Sequence, residues 1–167
     1  MRRFQRASAF MILLSILLLS ADACELRSVD RTIEVREAVR GYFQALNDED
    51  ATAIMDMFSR SPEVTSTMDG EIVRGWEAIR VETDKMMGEG EHRKWSPGTM
   101  EVQSLGANHA LVVIPIHITL TSAVGKDVVE GATTLVLERE DGKWRILHEH
   151  HSLQPEDDSG DWNSSRG

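Results

Sequence analysis

From Asp30 onward apolar residues recur at spacings of mainly three and four. Ile33, Val35, Ala38, Val39, Tyr42, Phe43 and Leu46 form one stripe, which predicts an amphipathic helix. Asn47-Asp48-Glu49-Asp50 ends that helix and supplies an N-cap for a second, whose buried side is Ala51, Ile54, Met55 and Phe58, with Pro62 closing it. Glu63 to Thr67 is rich in β-formers, and Asp69-Gly70 marks a hairpin into Glu71-Ile72-Val73-Arg74. Gly75 to Met87 predicts a third helix with Trp76, Ile79 and Met86 inward, stopped by Gly88-Glu89-Gly90.

Beyond that point the period is two. Trp95 to Ser104 alternates weakly, and Gly106-Ala107-Asn108 turns the chain. His109 to Thr121 predicts the most apolar strand, with Val112, Ile114, Ile116, Ile118 and Leu120 on one face and Leu111, Val113, Pro115, His117 and Thr119 on the other. A strand apolar on both faces is covered on both faces. Three helices can cover only one side of a sheet, so a second subunit is expected on the outer side, giving a homodimer.

The last hairpin, 132–152, turns at Asp141-Gly142, because a two-residue type I′ turn takes positive φ at both central positions. A regular ladder from that turn pairs Glu140 with Lys143, Leu137 with Ile146, Leu135 with His148 and Thr133 with His150. Directly opposed residues share a face, so Trp144, Ile146, His148 and His150 are expected beside Leu135 and Leu137. Glu149 and His151 fall on the opposite face. The functional site is therefore expected at the His148/His150 end.

Composition adds a soluble character and a leader. The chain has 167 residues, a formal net charge of −10 and 41% hydrophobic residues, enough for one domain with a core of its own. Met1-Arg-Arg-Phe-Gln-Arg6 is a basic start, Phe10 to Leu19 is apolar apart from Ser15, and Ala21-Asp22-Ala23 has the form of a cleavage site. That three-part pattern predicts a secretory signal peptide over 1–23, a linker over 24–29, the folded domain over 30–155 and a disordered acidic tail over 156–167. Removal of residues 1–23 takes away Arg2, Arg3, Arg6 and Asp22 and leaves a net charge of −12. Such a chain repels nucleic acid and anionic lipid surfaces, so neither is an expected partner. The exported form is expected in the periplasm or the medium. The only cysteine, Cys24, would become the first mature residue and could carry a lipid anchor, although Asp22 departs from a lipobox. One cysteine excludes an intrachain disulfide.

The order helix, helix, short hairpin, helix, long strands resembles the nuclear transport factor 2-like superfamily, in particular its SnoaL-like branch. The resemblance covers Asp30 to Gln154 and rests on Gly41-Tyr-Phe-Gln-Ala-Leu-Asn47, Val73-Arg-Gly-Trp-Glu-Ala-Ile79 and Asp141-Gly-Lys-Trp-Arg-Ile-Leu-His-Glu-His150. It implies an α+β, cone-shaped fold: three N-terminal helices packed in a strongly curved antiparallel sheet, with a pocket at the open end. Many relatives dimerise through the sheet. Ketosteroid isomerases of the superfamily use a tyrosine where this chain has Tyr42, and a carboxylate base where it has Ser66. Serine cannot replace that base near neutral pH. The final segment also resembles the association domain of calcium/calmodulin-dependent kinase, whose carboxylate-holding arginines match His117 and Leu135 here.

The function expected from these readings is small-molecule binding in a largely apolar pocket, without catalysis, lined by Tyr42, Trp76, His117, Leu135, His148 and His150. The rivals are an isomerase, cyclase or hydratase using His148 or His150 as acid and base with Tyr42 as electrophilic donor, and a purely structural dimerisation module. His148, His150 and His117 have the imidazoles that zinc takes. A hydrogen-bonded pocket histidine is the commoner outcome, so no metal or other cofactor is expected.

Overall fold

A computed structural model describes residues 31–154 except 69, 89–91 and 124. The leader, Cys24 and the acidic tail lie outside the described residues. Helix α1 spans 31–47, and Val35, Val39, Tyr42, Phe43 and Leu46 of its stripe are buried, whereas Ile33 is half exposed. Glu49, at φ 53°, turns the chain out of α1. Asp50 then caps α2 (Ala51–Met57), its carboxylate accepting from the Ala53 N–H at 3.0 Å. Helix α3 (Trp76–Gly88) follows the hairpin of β1 (Thr65–Met68) and β2 (Glu71–Arg74) and buries Ile79 and Thr83.

Five further strands complete the sheet: β3 (His92–Pro97), β4 (Glu101–Ser104), β5 (His109–Ser122), β6 (Gly125–Glu140) and β7 (Lys143–Leu153). The order is β2-β1-β7-β6-β5-β3, with β4 also on β5. The helices fill its concave side, and one core joins α1 and α2 to the inward residues of β5, β6 and β7. This is the cone-shaped α+β fold expected. Two details differ. The sheet is mixed, because β1 runs parallel to β7; the long connection between them lifts the antiparallel constraint that a hairpin imposes. The segment read as one strand from Trp95 is broken into β3 and β4. Pro97 pairs with Ile116 but Glu101 with Val113, so this edge carries one extra residue at the break. Gly98 sits there because a Cβ would come within 2.9 Å of the Pro115 ring.

The final hairpin turns as expected, with positive φ at Asp141 and Gly142 and Glu140 opposite Lys143. The regular ladder then fails. Leu137 faces Ile146, but Val136 faces His148 and Leu135 faces Glu149, so Leu147 is an extra residue in β7. A one-residue slip exchanges the faces of every residue beyond it. Glu149 and His151 therefore point inward with Trp144 and Ile146 and are buried, while His148 and His150 move to the outer face. This corrects the register expected for Leu135, Thr133 and the two histidines.

Candidate functional site

The concave side leaves a cavity of about 490 Å³ between α3 and the sheet. Its walls are mainly apolar: Met68 and Val73 from the first hairpin, Ile79 and Met86 from α3, Ile118 and Leu120 from β5, with half-buried Arg93 of β3 and the buried Thr83 of α3 among them. Exposed Glu71, Glu82 and Lys85 stand at the mouth. At the buried end lie Tyr42, Ser66, Glu149 and His151.

These four side chains form one network. Because β1 lies beside β7 with Ser66 opposite Glu149, the Ser66 hydroxyl donates to Glu149 Oε1 at 2.8 Å. Tyr42, from the buried stripe of α1, donates its phenol proton to Glu149 Oε2. His151 Nε2 lies 3.2 Å from the same oxygen. A carboxylate only accepts, so this nitrogen carries a proton. The other ring nitrogen, Nδ1, is 2.8 Å from the hydroxyl of buried Thr133, its register partner on β6. Trp95 packs against the imidazole with ring centroids 5.1 Å apart.

The electrostatics follow from burial. Desolvation alone would raise the Glu149 carboxyl, but His151, Tyr42 and Ser66 together outweigh it and hold the group below its ordinary value. Desolvation, reinforced by the negative Glu149, pushes the Tyr42 phenol well above its ordinary value. Near neutral pH the buried end thus holds a carboxylate and a neutral phenol.

The residues expected at the site are dispersed. Tyr42 faces the cavity. Leu135 is fully buried in the core instead of lining the cavity, and its partner across the ladder is Glu149, not His148. Trp76 packs at the edge of the core, its indole N–H donating to the Met55 carbonyl at 3.1 Å and the Arg60 guanidinium 3.6 Å from its ring centroid. His117 is exposed on the outer sheet face, 3.3 Å from Glu130. His148 is also outward, with Nδ1 2.7 Å from the Thr65 hydroxyl; partial burial, then the neighbouring His150, lowers its pKa. His150 is exposed. Among the described residues no three His, Cys, Asp or Glu side chains are grouped to hold a metal ion.

A ladder extended from the turn alone places Glu149 and His151 on the outer face, and Ser66 meets them only through the parallel pairing of β1 with β7. Leu153 carried the signal. It lies an odd number of residues from Ile146, so two apolar ends on one face require an extra residue between them. The carboxylate that Ser66 lacks is supplied by the neighbouring strand.

The chain matches the SnoaL-like domain family over residues 35–156. Among solved structures it is similar to a Xanthomonas campestris protein provisionally described as a calcium/calmodulin-dependent protein kinase II association domain, at 25% identity and TM-score 0.63, over 74% of this chain and 87% of that one. A nuclear transport factor 2-like superfamily protein from Salmonella enterica aligns at 22% identity and TM-score 0.67, over 80% of this chain and 96% of that one. A Novosphingobium aromaticivorans protein provisionally described as a scytalone dehydratase aligns at 10% identity and TM-score 0.70, over 77% and 87%. The last two likenesses speak to the fold alone. No curated protein matches the chain.

Proposed function

Because the chain belongs to the SnoaL-like domain family, we propose that it binds one small, largely apolar molecule in this cavity and that binding, rather than turnover, is its activity. The observation that carries this reading is the cavity itself: about 490 Å³, apolar along its walls, with a few convergent polar groups at one end. Volumes of roughly 300–1,000 Å³ with that division of surface are typical of small-molecule sites.

Catalysis by acid and base is the second reading. It is favoured by the grouping of Tyr42, Glu149 and His151, and one relative of the same fold is provisionally described as a dehydratase. It ranks second because the groups are committed to one another. Glu149 accepts three hydrogen bonds and is held below its ordinary pKa, which makes it a weak base. Tyr42 gives its proton to Glu149, and both ring nitrogens of His151 are taken.

Two further parts of the reading rest on other features. Export rests on the leader pattern of residues 1–23, and N-terminal sequencing of the protein from its source tests it. Dimerisation rests on the outer sheet face, where Val113 and Val128 are 38% and 55% exposed in the single chain. Light scattering of Val113→Asp against the parent checks it, with loss of dimer expected.

The binding experiment uses native mass spectrometry on the parent and on Met86→Trp, which puts a larger side chain into the cavity. A ligand retained by the parent and lost by Met86→Trp supports the reading. A ligand held equally by both contradicts it. Turnover abolished by Glu149→Gln with affinity kept would move the second reading to first place.

A further inference from the structure

Counting donors and acceptors at the buried end says what chemistry the ligand carries there, on the footing that the cavity is a binding site. The phenol proton of Tyr42 and the hydroxyl proton of Ser66 are both given to Glu149, as is the N–H at His151 Nε2. The second nitrogen of His151 is turned away to Thr133, which does not line the cavity. No donor of the network is left for a ligand. Acceptor capacity does remain. An ionised carboxylate has about four lone-pair sites. Three of them are used: two on Oε2, by Tyr42 and His151, and one on Oε1, by Ser66. The oxygens of Tyr42 and Ser66, each donating, keep lone pairs of their own.

We propose that the cavity selects an apolar molecule whose buried end is a neutral hydrogen-bond donor, a hydroxyl or an aromatic amine, that meets Glu149 Oε1 and its hydroxyl neighbours. A ketone or ether finds no proton there. To gain one it must draw a hydroxyl away from Glu149, leaving a buried carboxylate short of a partner, which costs more than an unmade neutral bond. A carboxylate ligand meets like charge in a desolvated site. The apolar walls set the body of the ligand; the acceptor-only floor sets its functional group.

The test is a matched series on the full chain at neutral pH: naphthalene, 2-naphthol, 2-methoxynaphthalene and 2-naphthoate, titrated by calorimetry. The expected order places 2-naphthol about tenfold or more tighter than the methyl ether, as a hydrogen bond to a charged group predicts, with 2-naphthoate weakest. Glu149→Gln, whose amide can donate as well as accept, should narrow the gap between naphthol and ether to about twofold. Equal or tighter binding of the ether by the parent overturns this inference and leaves the cavity reading standing. Failure of all four probes, naphthalene included, overturns the cavity reading and the inference with it. The parent series decides the matter even where Glu149→Gln does not fold.

Discussion

Strand β7 carries two histidine-bearing faces a single residue out of phase, and they have opposite characters. On the inner face His151 is 2% exposed, bonded through both nitrogens, and shares a buried carboxylate with Tyr42 and Ser66. On the outer face His150 is exposed and His148 is held by one contact to Thr65. The residue type is the same; only the side of the sheet differs. What gives an imidazole structural weight here is desolvation with complete hydrogen bonding, since a buried polar group costs heavily when left unpaired and little when paired. Leu147, the extra residue, decides which histidine receives that environment.

The largest difference between the faces should appear on truncation. Glu149→Ala removes the common acceptor of two buried donors, Tyr42 and His151, and of half-buried Ser66, and should cost about 3–5 kcal/mol in urea unfolding, the range for breaking a buried charged network. His150→Ala should change stability by less than about 0.5 kcal/mol, as exposed positions do. A similar loss for both would erase the distinction. Leu135→Ala should cost about 2–5 kcal/mol through cavity formation in the core, with the ligand site kept. Tyr42→Phe, which deletes a single bond to the carboxylate, is expected to cost about 1.5–3 kcal/mol.

Acid should separate the faces more finely. Glu149 has a folded pKa below its unfolded one, so its contribution is complete above the ordinary carboxylate value and is lost as pH falls through the lowered folded value. His148 is also lowered, so its neutral form is favoured by folding and its contribution fades as pH falls below the ordinary imidazole value. Stability measured against pH should therefore show a shallow decline below neutrality that His148→Ala removes. A steeper one in the carboxylate range should persist in that variant. At the alkaline end, Tyr42 with its raised pKa contributes stability that is lost above its ordinary value as pH rises through the folded one.

Much of this fold was legible from periodicity. The buried stripe of α1, the Asp50 cap and the Asp141-Gly142 turn each follow from a local rule, and local rules need only neighbouring residues. The site was half legible. Tyr42 stood out through its place in the first helix, whereas Glu149 and His151 depend on the bulge at Leu147. Only the far end of the strand, at Leu153, reveals that bulge, and a count from the turn passes over it. Thr133 and Ser66 follow from strand pairing, and the parallel pairing of β1 with β7 joins segments far apart in sequence that no hairpin signal connects.

The most direct test of the phase shift is a long-range proton–nitrogen correlation spectrum of the histidine rings, assigned with single His→Gln variants. The account predicts that His151 shows a slowly exchanging Nε2 proton with a nuclear Overhauser contact to the Tyr42 ring, while His148 and His150 exchange rapidly with solvent. A protected ring proton on His148 or His150, with His151 exchanging freely, would contradict it.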